Sequence, residues 1–293
     1  GLLSAPLLHA QSTADWEKAA GGKMSFEVAS VKRNPETMNR DAVHSNVDLD
    51  SGDRFLPTGG LFSATDFPLI AYTGFAFKLP IDQLLSLQSQ MPKWAADRYD
   101  IEGRAAGNPT KDQYRLMMQT LLSERFKLAY HVVTKQSPVL SIVADNPRKL
   151  GPQLQRHTGK VPCPSGTPVA GSPLTVAGGF PLACGSLVGF PPTVRGRVHI
   201  GARDVPITVL TDLVVGKGLM SFDKPIVDQT SLGRIDFVIE FTPDVAPDNG
   251  GRIDSDGPTF LDALKDQLGV KLTSATGEVS TLVIDHIEEP TPN

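Results

Sequence analysis

Apolar and polar residues alternate along the chain with two periods, and the order of these periods occurs twice. A two-residue period predicts strands, and apolar residues three or four positions apart predict amphipathic helices. The first series gives strands at 25–32 and 61–64, a helix from 66, a strand at 98–102, a helix from 114, and closing strands at 127–133 and 138–144. The second gives a strand at 197–201, a helix from 204, a strand at 235–241, a helix from 260, and a closing two-strand segment at 276–287.

Short polar motifs mark the ends of these helices. Asp66 and Asp204 each stand two residues before a proline and suit the N-cap position. Thr110-x-x-Gln113 is the sequence of a capping box, and the helix behind it is expected to stop near Arg125. Gly269 is expected to end the last helix.

The strand before the second helix carries Arg-x-Asp in both series, as Arg98-x-Asp100 and Arg234-x-Asp236. Order and spacing agree at every step, which indicates an ancient duplication. We predict an α+β fold of two tandem βαβαββ-type repeats, each a small mixed sheet with two helices on one face. The repeats are assigned to 24–145 and 195–293.

The segments outside the repeats differ in composition. Residues 146–194 are rich in Pro and Gly and lack apolar periodicity, which predicts a connection. Residues 1–23 read as a signal-peptide remnant followed by a mobile leader, because an apolar stretch ends in Leu8-His9-Ala10. We therefore expect a periplasmic or secreted protein.

Composition and charge limit the classes of partner that we expect. The net charge of −4 over 293 residues argues against nucleic acid as a partner, since phosphate binding needs a basic surface. No run of about 18 apolar residues is present, so no transmembrane segment is expected in the mature chain. Cys163 and Cys184 are the only cysteines. In an exported protein such a pair is expected to form a disulfide, here one that orders the connection.

No motif carries chemistry, so we predict no catalytic, cofactor-binding or metal-binding residues. Gly-x-Ser-x-Gly and a phosphate-binding glycine loop are both absent. Asp100 with Glu102, and Asp236 with Glu240, are explained by duplication, with Arg98 and Arg234 as ion partners of these acids. The histidines considered and set aside as structural are His44, His131 and His286.

Two further groups stay open at this point. The acidic loops 48–53 and 254–257 offer oxygen ligands but lack the calcium-binding pattern, so solvated turns are favoured. Trp94 and the segment Phe75-Ala76-Phe77 could mark a partner surface or belong to the core.

Six stretches, residues 26–32, 98–102, 121–128, 225–228, 257–258 and 283–286, occur in the order found in one family of exported proteins. In these stretches the chain resembles the acidobacterial, soil-associated family of exported duplicated-domain proteins. That resemblance implies export and a duplicated α+β unit, and it brings no catalytic residues. Each repeat is also similar, in pattern, to the short N-terminal domain of secretins and TonB-dependent proteins, as in Leu268-Gly269-Val270-Lys271-Leu272. This similarity implies a periplasmic docking module.

The expected function is that of an exported, non-catalytic docking protein that binds an envelope or extracellular protein or self-associates. The expected docking surface is a strand edge at Val139–Val143 or at Leu282–Ile284. The alternative is an extracellular hydrolase with a site between the two repeats, and a third option is small-ligand binding in the same cleft. A deep cleft lined by carboxylates with separated pKa values would favour the hydrolase, and a flat, strand-edged surface would favour docking.

Overall fold

The computed structural model describes residues 15–34, 43–53, 55–146, 148–163, 175–176, 178–216, 222, 224–244 and 256–290, without the side chains of 213–216. Over these ranges the protein is α+β, as predicted, with six α-helices and eleven strands in three small sheets. None of the helices in these ranges combines the length and apolar character needed to cross a membrane.

The elements follow one another from a short N-terminal helix to a long C-terminal strand. The strands are β1 (Val28–Asn34), β2 (His44–Ser45), β3 (Leu61–Pro68), β4 (Arg98–Arg104), β5 (Ala129–Ala144), β6 (Leu154–Arg156), β7 (Leu187–Gly189), β8 (Val198–Pro206), β9 (Ile226–Asp228), β10 (Arg234–Phe241) and β11 (Val270–His286). The helices are α1 (Asp15–Ala19), α2 (Leu69–Ala76), α3 (Ile81–Gln88), α4 (Lys111–Arg125), α5 (Thr208–Gly216) and α6 (Phe260–Ala263), which continues as a π-helical turn at Leu264–Leu268. A 3₁₀ turn covers Lys93–Ala96.

Two four-stranded sheets have the same topology: across each sheet, its strands lie in the order first, fourth, third, second along the chain. The first is β1-β4-β3-β2 and the second is β6-β10-β8-β7. Both are antiparallel throughout, so the expected small mixed sheet in each repeat is wrong. The segment predicted as a connection supplies β6 and β7, whose three-residue length is too short to show a period in the sequence.

Each of these sheets has a core shared with helices. Alternate residues of β4 are buried, and α2 and α4 pack with them, as in the contacts of Tyr99 and Phe126, whose ring centroids are 5.2 Å apart. The capping box of Thr110 and Gln113 is confirmed, and α4 ends at Arg125 as predicted. The second core joins β8 and β10 to α5 and α6, and Gly269 ends the last helical turn with a φ of 70°.

The third sheet joins the two halves of the chain. β5 and β11 pair antiparallel along their whole lengths, from Ala144 with Val270 to Ala129 with His286. β9 pairs in parallel with β5 at Leu140–Ile142 only. This sheet is the mixed one.

The closing pair of strands predicted for each repeat is therefore wrong. Each closing segment is a single strand, and its partner is the closing strand of the other half. Pro138 was predicted to begin the second closing strand, and it lies instead inside β5. A proline fits inside a strand where its missing N–H faces no neighbour. β9 begins to pair two residues beyond Pro138, which leaves that side of β5 without a strand partner at the proline.

Asp66 and Asp204 are not N-caps. They lie inside β3 and β8 with left-handed φ values of 63° and 54°, and the helices begin only at Leu69 and Thr208. The left-handed bend turns the backbone N–H of each towards the neighbouring strand. Asp66 donates its N–H to the carboxylate of Asp100 at 2.9 Å. Asp204 donates its N–H to the carboxylate of Asp236 at 3.0 Å.

The arginines of the two Arg-x-Asp segments pair with these bends. Arg98 donates to the carbonyl and carboxylate of Asp66, and Arg234 does the same at Asp204. The prediction that Arg98 and Arg234 pair with the acids of their own strands is thus wrong for Asp100 and Asp236, which instead accept the backbone N–H groups of the bends. The same set of contacts occurs twice, in register with the predicted duplication.

Candidate functional site

A cavity of about 310 Å³ lies at the junction of the two halves. The helices α3 and α5 meet there, one from each half. Most of the wall is apolar, and charged residues from both halves interrupt it. The lining residues include Trp16, Asp53, Lys78, Pro80, Ile81, Asp82, Val205, Pro206, Thr208, Val209, Thr211, Asp212, Phe222, Lys224, Ile226 and Arg234.

The basic residues of α4 hold the loop that brings Asp53 to this cavity. Arg115 is fully buried and donates to the carbonyls of Asp50 and Gly52, at 3.1 and 2.7 Å. Lys111, also buried, contacts the carboxylate of Asp50 at 2.5 Å. A helix one turn after its capping box is rigid, so these contacts fix the loop 50–53 against it.

Asp53 is the centre of an ion-pair network that crosses the junction. Its carboxylate lies 2.6 Å from Lys78 and 3.1 Å from Arg234, two residues from different halves. Burial by itself would raise the pKa of Asp53, but the hydrogen bonds and charges of Lys78, Arg234 and Arg115 outweigh it and hold that pKa below its usual range. Asp53 is therefore ionised at neutral pH.

Asp82 and Asp212 line the same cavity in a different electrostatic setting. Asp82 is in the first turn of α3 and Asp212 is in the middle of α5. Burial, followed by repulsion from Asp82, raises the pKa of Asp212 to about 7. Burial also raises the pKa of Asp82, against hydrogen bonds from backbone N–H groups. With a pKa of about 7, Asp212 is partly protonated at neutral pH, because burial and the nearby Asp82 carboxyl both disfavour its charged form.

This arrangement has two chemical capacities. A carboxyl that is protonated near pH 7 can donate a hydrogen bond or a proton, and when ionised it attracts a cation. The apolar wall and the volume suit the burial of a small organic molecule, since ligand cavities begin at about 300 Å³. The ion-pair network at Asp53 and the two acids Asp82 and Asp212 give the cavity two unlike charged regions.

The predicted disulfide is present. Cys163 and Cys184 are bonded, with Cα atoms 5.6 Å apart. The side-chain ligand atoms of His157, Cys163 and Asp204 lie within 4.8 Å of one another. The Cys163 sulfur is committed to the disulfide and offers no thiolate to a metal ion.

The other acids singled out in the sequence are spread over the structure. Asp236 binds His157 at 2.7 Å in addition to the backbone of Asp204, and Glu240 accepts from Thr193. These acids are occupied by protein donors, which agrees with the structural interpretation. In the acidic loop 48–53, lysine and arginine side chains hold the carboxylates of Asp50 and Asp53. Residues 254 and 255 of the second acidic loop lie outside the described residues.

The aromatic and histidine candidates are structural as well. Phe75 is fully buried, and Phe77 packs on Tyr130 with ring centroids 4.5 Å apart. Trp94 packs against the first core, and both Trp94 and Phe77 remain partly exposed. His131 pairs across strands β5 and β11 with Asp285 at 2.8 Å.

Asp82, Asp212 and Lys78 were not among the residues predicted from the sequence. A signal for Asp212 was available, since it is the one charged residue in the apolar helix Thr208–Gly216. A charge in an apolar helix is costly to bury and is a reason to expect a cavity or a partner. Nothing in the sequence indicated that Asp82 would lie near it.

Comparison with the curated proteins and with the solved structures found no match. A family described as "Protein of unknown function (DUF3738)" matches residues 71–287. The matched region includes most of α2, all of α3 to α6, the third sheet and most of the cavity wall. With most of its length matched, the chain belongs to the DUF3738 family.

Proposed function

We propose that this protein binds a small organic cation with an apolar body in the junction cavity. The observation that carries the proposal is the pair Asp82 and Asp212, two carboxyls on helices from different halves that line one apolar cavity. Docking through a strand edge was the first expectation from the sequence, and the cavity gives stronger support to small-ligand binding.

Charge complementarity favours a cation. Lys78, Lys224 and Arg234 also line the cavity. Lys78 and Arg234 each pair with Asp53, and Arg234 pairs with Asp204 as well. Lys224 is not among the causes of the pKa shift of either Asp82 or Asp212. Neither of the carboxyls Asp82 and Asp212 has a positive group among the causes of its pKa shift. An ammonium group placed between them would supply the missing charge, and the apolar wall would cover the rest of the molecule.

Hydrolysis is a second candidate, and one observation favours it. Asp212, with a pKa of about 7, and Asp53, with a lowered pKa, line the same cavity. Acid–base hydrolases use two carboxyls in this way: one holds a proton and the other is ionised. Against this, Asp53 is bound by two cations within 3.1 Å, which makes it a weak base or nucleophile.

The strand-edge docking function has narrower support. β11 is an edge strand of the third sheet, as expected for Leu282–Ile284, whereas Val139–Val143 lies in the central strand β5. At the β11 edge, the side chain of Gln90 accepts from the N–H of Ile284 and donates to the carbonyl of Leu282. Two backbone groups that a partner strand would use are therefore occupied.

Export to the periplasm or beyond the cell remains part of the proposal. The disulfide supports it, because such bonds persist in oxidising compartments.

Binding is tested by calorimetry and thermal unfolding with a panel of alkylammonium and arylammonium ions at pH 8. Neutral alcohols and carboxylates of matched shape serve as controls. We expect stabilisation by the ammonium ions alone. The affinity for the ammonium ions should fall at least tenfold in Asp212→Asn and in Asp82→Asn. It should not change in Glu124→Gln, which alters an exposed carboxyl on α4.

Two results would count against the proposal in different ways. Equal binding of the neutral analogues would contradict a cationic ligand while leaving the cavity as a binding site. Failure of every member of the panel, or binding unaffected by both Asn variants, would contradict binding in the cavity. Turnover in a hydrolase screen that Asp212→Asn removes would favour the second candidate.

A further inference from the structure

The disulfide lies beside a buried positive charge. Arg203 is 1% exposed, and its Nε donates to the Cys184 sulfur at 3.1 Å. Its Nη2 donates to the carbonyl of Pro162 at 2.9 Å and lies 3.7 Å from the Cys163 sulfur. The guanidinium thus borders both sulfur atoms of the bridge.

Among the described residues, Arg203 has no carboxylate partner, which a buried arginine usually has. In the described part of the chain its acceptors are two carbonyls and the two sulfurs, and Nη1 is buried without an acceptor. A disulfide sulfur is a weak acceptor, whereas a thiolate is a strong one that forms a charge-assisted bond. The guanidinium therefore interacts better with the reduced state of Cys184 than with the bridge.

The surroundings of the two sulfurs are unequal. Cys163 is exposed and Cys184 is half-buried. The Cys163 sulfur lies within 4.8 Å of the carboxylate of Asp204 and the imidazole of His157, whereas Arg203 Nε contacts the Cys184 sulfur. Negative charge is disfavoured on Cys163 by the acid and favoured on Cys184 by the guanidinium.

We propose that the Cys163–Cys184 bridge is a thiol-exchange site, at which a low-molecular-weight thiol attacks Cys163 and Cys184 leaves as a thiolate bound to Arg203. The thiolate of the incoming molecule forms a sulfur–sulfur bond to Cys163 as the Cys163–Cys184 bond breaks, and the electron pair of that bond remains on Cys184. The products are a mixed disulfide on exposed Cys163 and a free Cys184. Exchange of this kind needs no oxidant or reductant beyond the incoming thiol, and it is faster when the leaving thiolate is stabilised.

The site of modification is the first test. The oxidised full-length protein is incubated with reduced glutathione at neutral pH, alkylated and digested, and the adduct is located by peptide mass spectrometry. We expect glutathione on Cys163 and the alkylating reagent on Cys184. Glutathione on Cys184, or on both cysteines equally, would overturn the proposal, as would the absence of any adduct under conditions that open exposed disulfides.

The role of Arg203 is tested by the rate of opening. Arg203→Gln should slow the reaction about tenfold, Arg203→Lys should slow it less, and Arg104→Gln, at an exposed position of β4, should leave it unchanged. An equal rate in Arg203→Gln and the unaltered protein would contradict the assignment.

A measurement that keeps Arg203 in place covers the case in which its variants do not fold. Cys163→Ser and Cys184→Ser each leave one thiol, whose pKa is read from the pH dependence of alkylation. The Cys184 thiol should titrate below the ordinary value of about 8.5 and below the Cys163 thiol. The opposite order, or equal values, would show that Arg203 does not stabilise the Cys184 thiolate.

Discussion

At the scale of single residues, burial decides what a charged side chain does in this protein. Asp66 and Asp204 occupy the same bend in two sheets, yet the side chain of Asp66 is 2% exposed and that of Asp204 is 27% exposed. Asp53 and Asp212 line one cavity, yet the pKa of the first is lowered and that of the second is raised. Matched pairs of this kind allow the contribution of the environment to be measured.

The arginines at the two bends should differ in their effect on stability. Arg98→Ala leaves a buried carboxylate without its cation and should lower the free energy of unfolding by about 3 kcal/mol. Arg234→Ala acts on a more exposed pair and should cost about 1 kcal/mol. Urea unfolding of both variants measures the difference. A larger loss for Arg234→Ala would show that its bond to Asp53 across the junction outweighs burial.

Asp212 should make stability depend on pH. Its pKa is about 7 in the folded protein and about 3.9 in an unfolded chain, so the folded state binds the proton more tightly. The resulting stability is present in full below about pH 4, falls as pH rises, and is lost above about pH 7. Asp212→Asn should therefore be more stable than the unaltered protein at pH 8, by on the order of 2 kcal/mol after allowance for partial exposure, with little difference between the two at pH 4.

Thermal unfolding of both proteins at pH 4, 6 and 8 checks this expectation, with Glu124→Gln as the exposed control. A constant difference between Asp212→Asn and the unaltered protein over this pH range would indicate that Asp212 is ionised throughout.

At the scale of secondary-structure elements, close backbone approaches fix how the halves are assembled. The chain that enters the second half crosses the end of the π-helical turn, where Gly151 donates its N–H to the carbonyl of Leu268 at 2.9 Å. A Cβ on Gly151 would lie 2.3 Å from the carbonyl oxygen of Gln267, and one on Gly269 would lie 2.5 Å from the nitrogen of Gly151. Two glycines are thus packed backbone to backbone.

Gly151→Ala should destabilise the protein by about 2 kcal/mol, because rigid backbone must move to admit the methyl group. Gly269→Ala should cost at least as much, since its left-handed φ adds strain. Gly189→Ala is the control, as its Cβ would meet nothing within 4 Å. Chemical denaturation of the three variants measures these losses, and an equal effect of all three would rule out the close approach as the cause.

At the scale of the whole molecule, the last strand of each half contributes side chains to the core of the other half. β11 ends the second half, yet Ile284 packs on the first core, and the N–H of Glu288 donates to the carbonyl of Phe126 at 2.7 Å. β5 ends the first half, yet Ile142 is buried in the second core. Each core therefore includes apolar side chains from the other half of the chain.

Residues 1–146 and 147–293 should therefore not fold when produced separately, and should form a complex when produced together. Each half lacks the partner of its closing strand, and an unpaired strand of this length exposes its backbone N–H and C=O groups. Circular dichroism, cooperative thermal unfolding and co-purification of the two fragments test this expectation. Cooperative unfolding of either fragment alone would show that its core is complete without the other half's strand.

The duplication predicted from the sequence is tested at the same scale. In a crystal structure of the whole chain, superposition of residues 24–145 on residues 195–293 should place Asp66 on Asp204 and Arg98 on Arg234, with the four-stranded sheets aligned. A superposition that aligns the sheets only in another register would contradict the duplication.

The sequence by itself determined the α+β class, the disulfide and most element positions. These features depend on residues a few positions apart, such as the capping box at Thr110 and Gln113, or on the lack of any alternative partner, as for Cys163 and Cys184. Local periodicity also located β3, β4, β8 and β10 within a few residues. It could not show where a strand finds its partner.

Only the tertiary structure decided that β5 pairs with β11, that Arg234 meets Asp53 from 181 positions away, and that Asp82 and Asp212 line one cavity. The strand pattern of β5 is compatible with a hairpin and with a long strand, because both bury the same alternate residues. The pKa of Asp212 likewise depends on burial between two helices of different halves. Burial and the distance between charges are properties of the folded chain, so the cavity and its acids could be identified only in the structure.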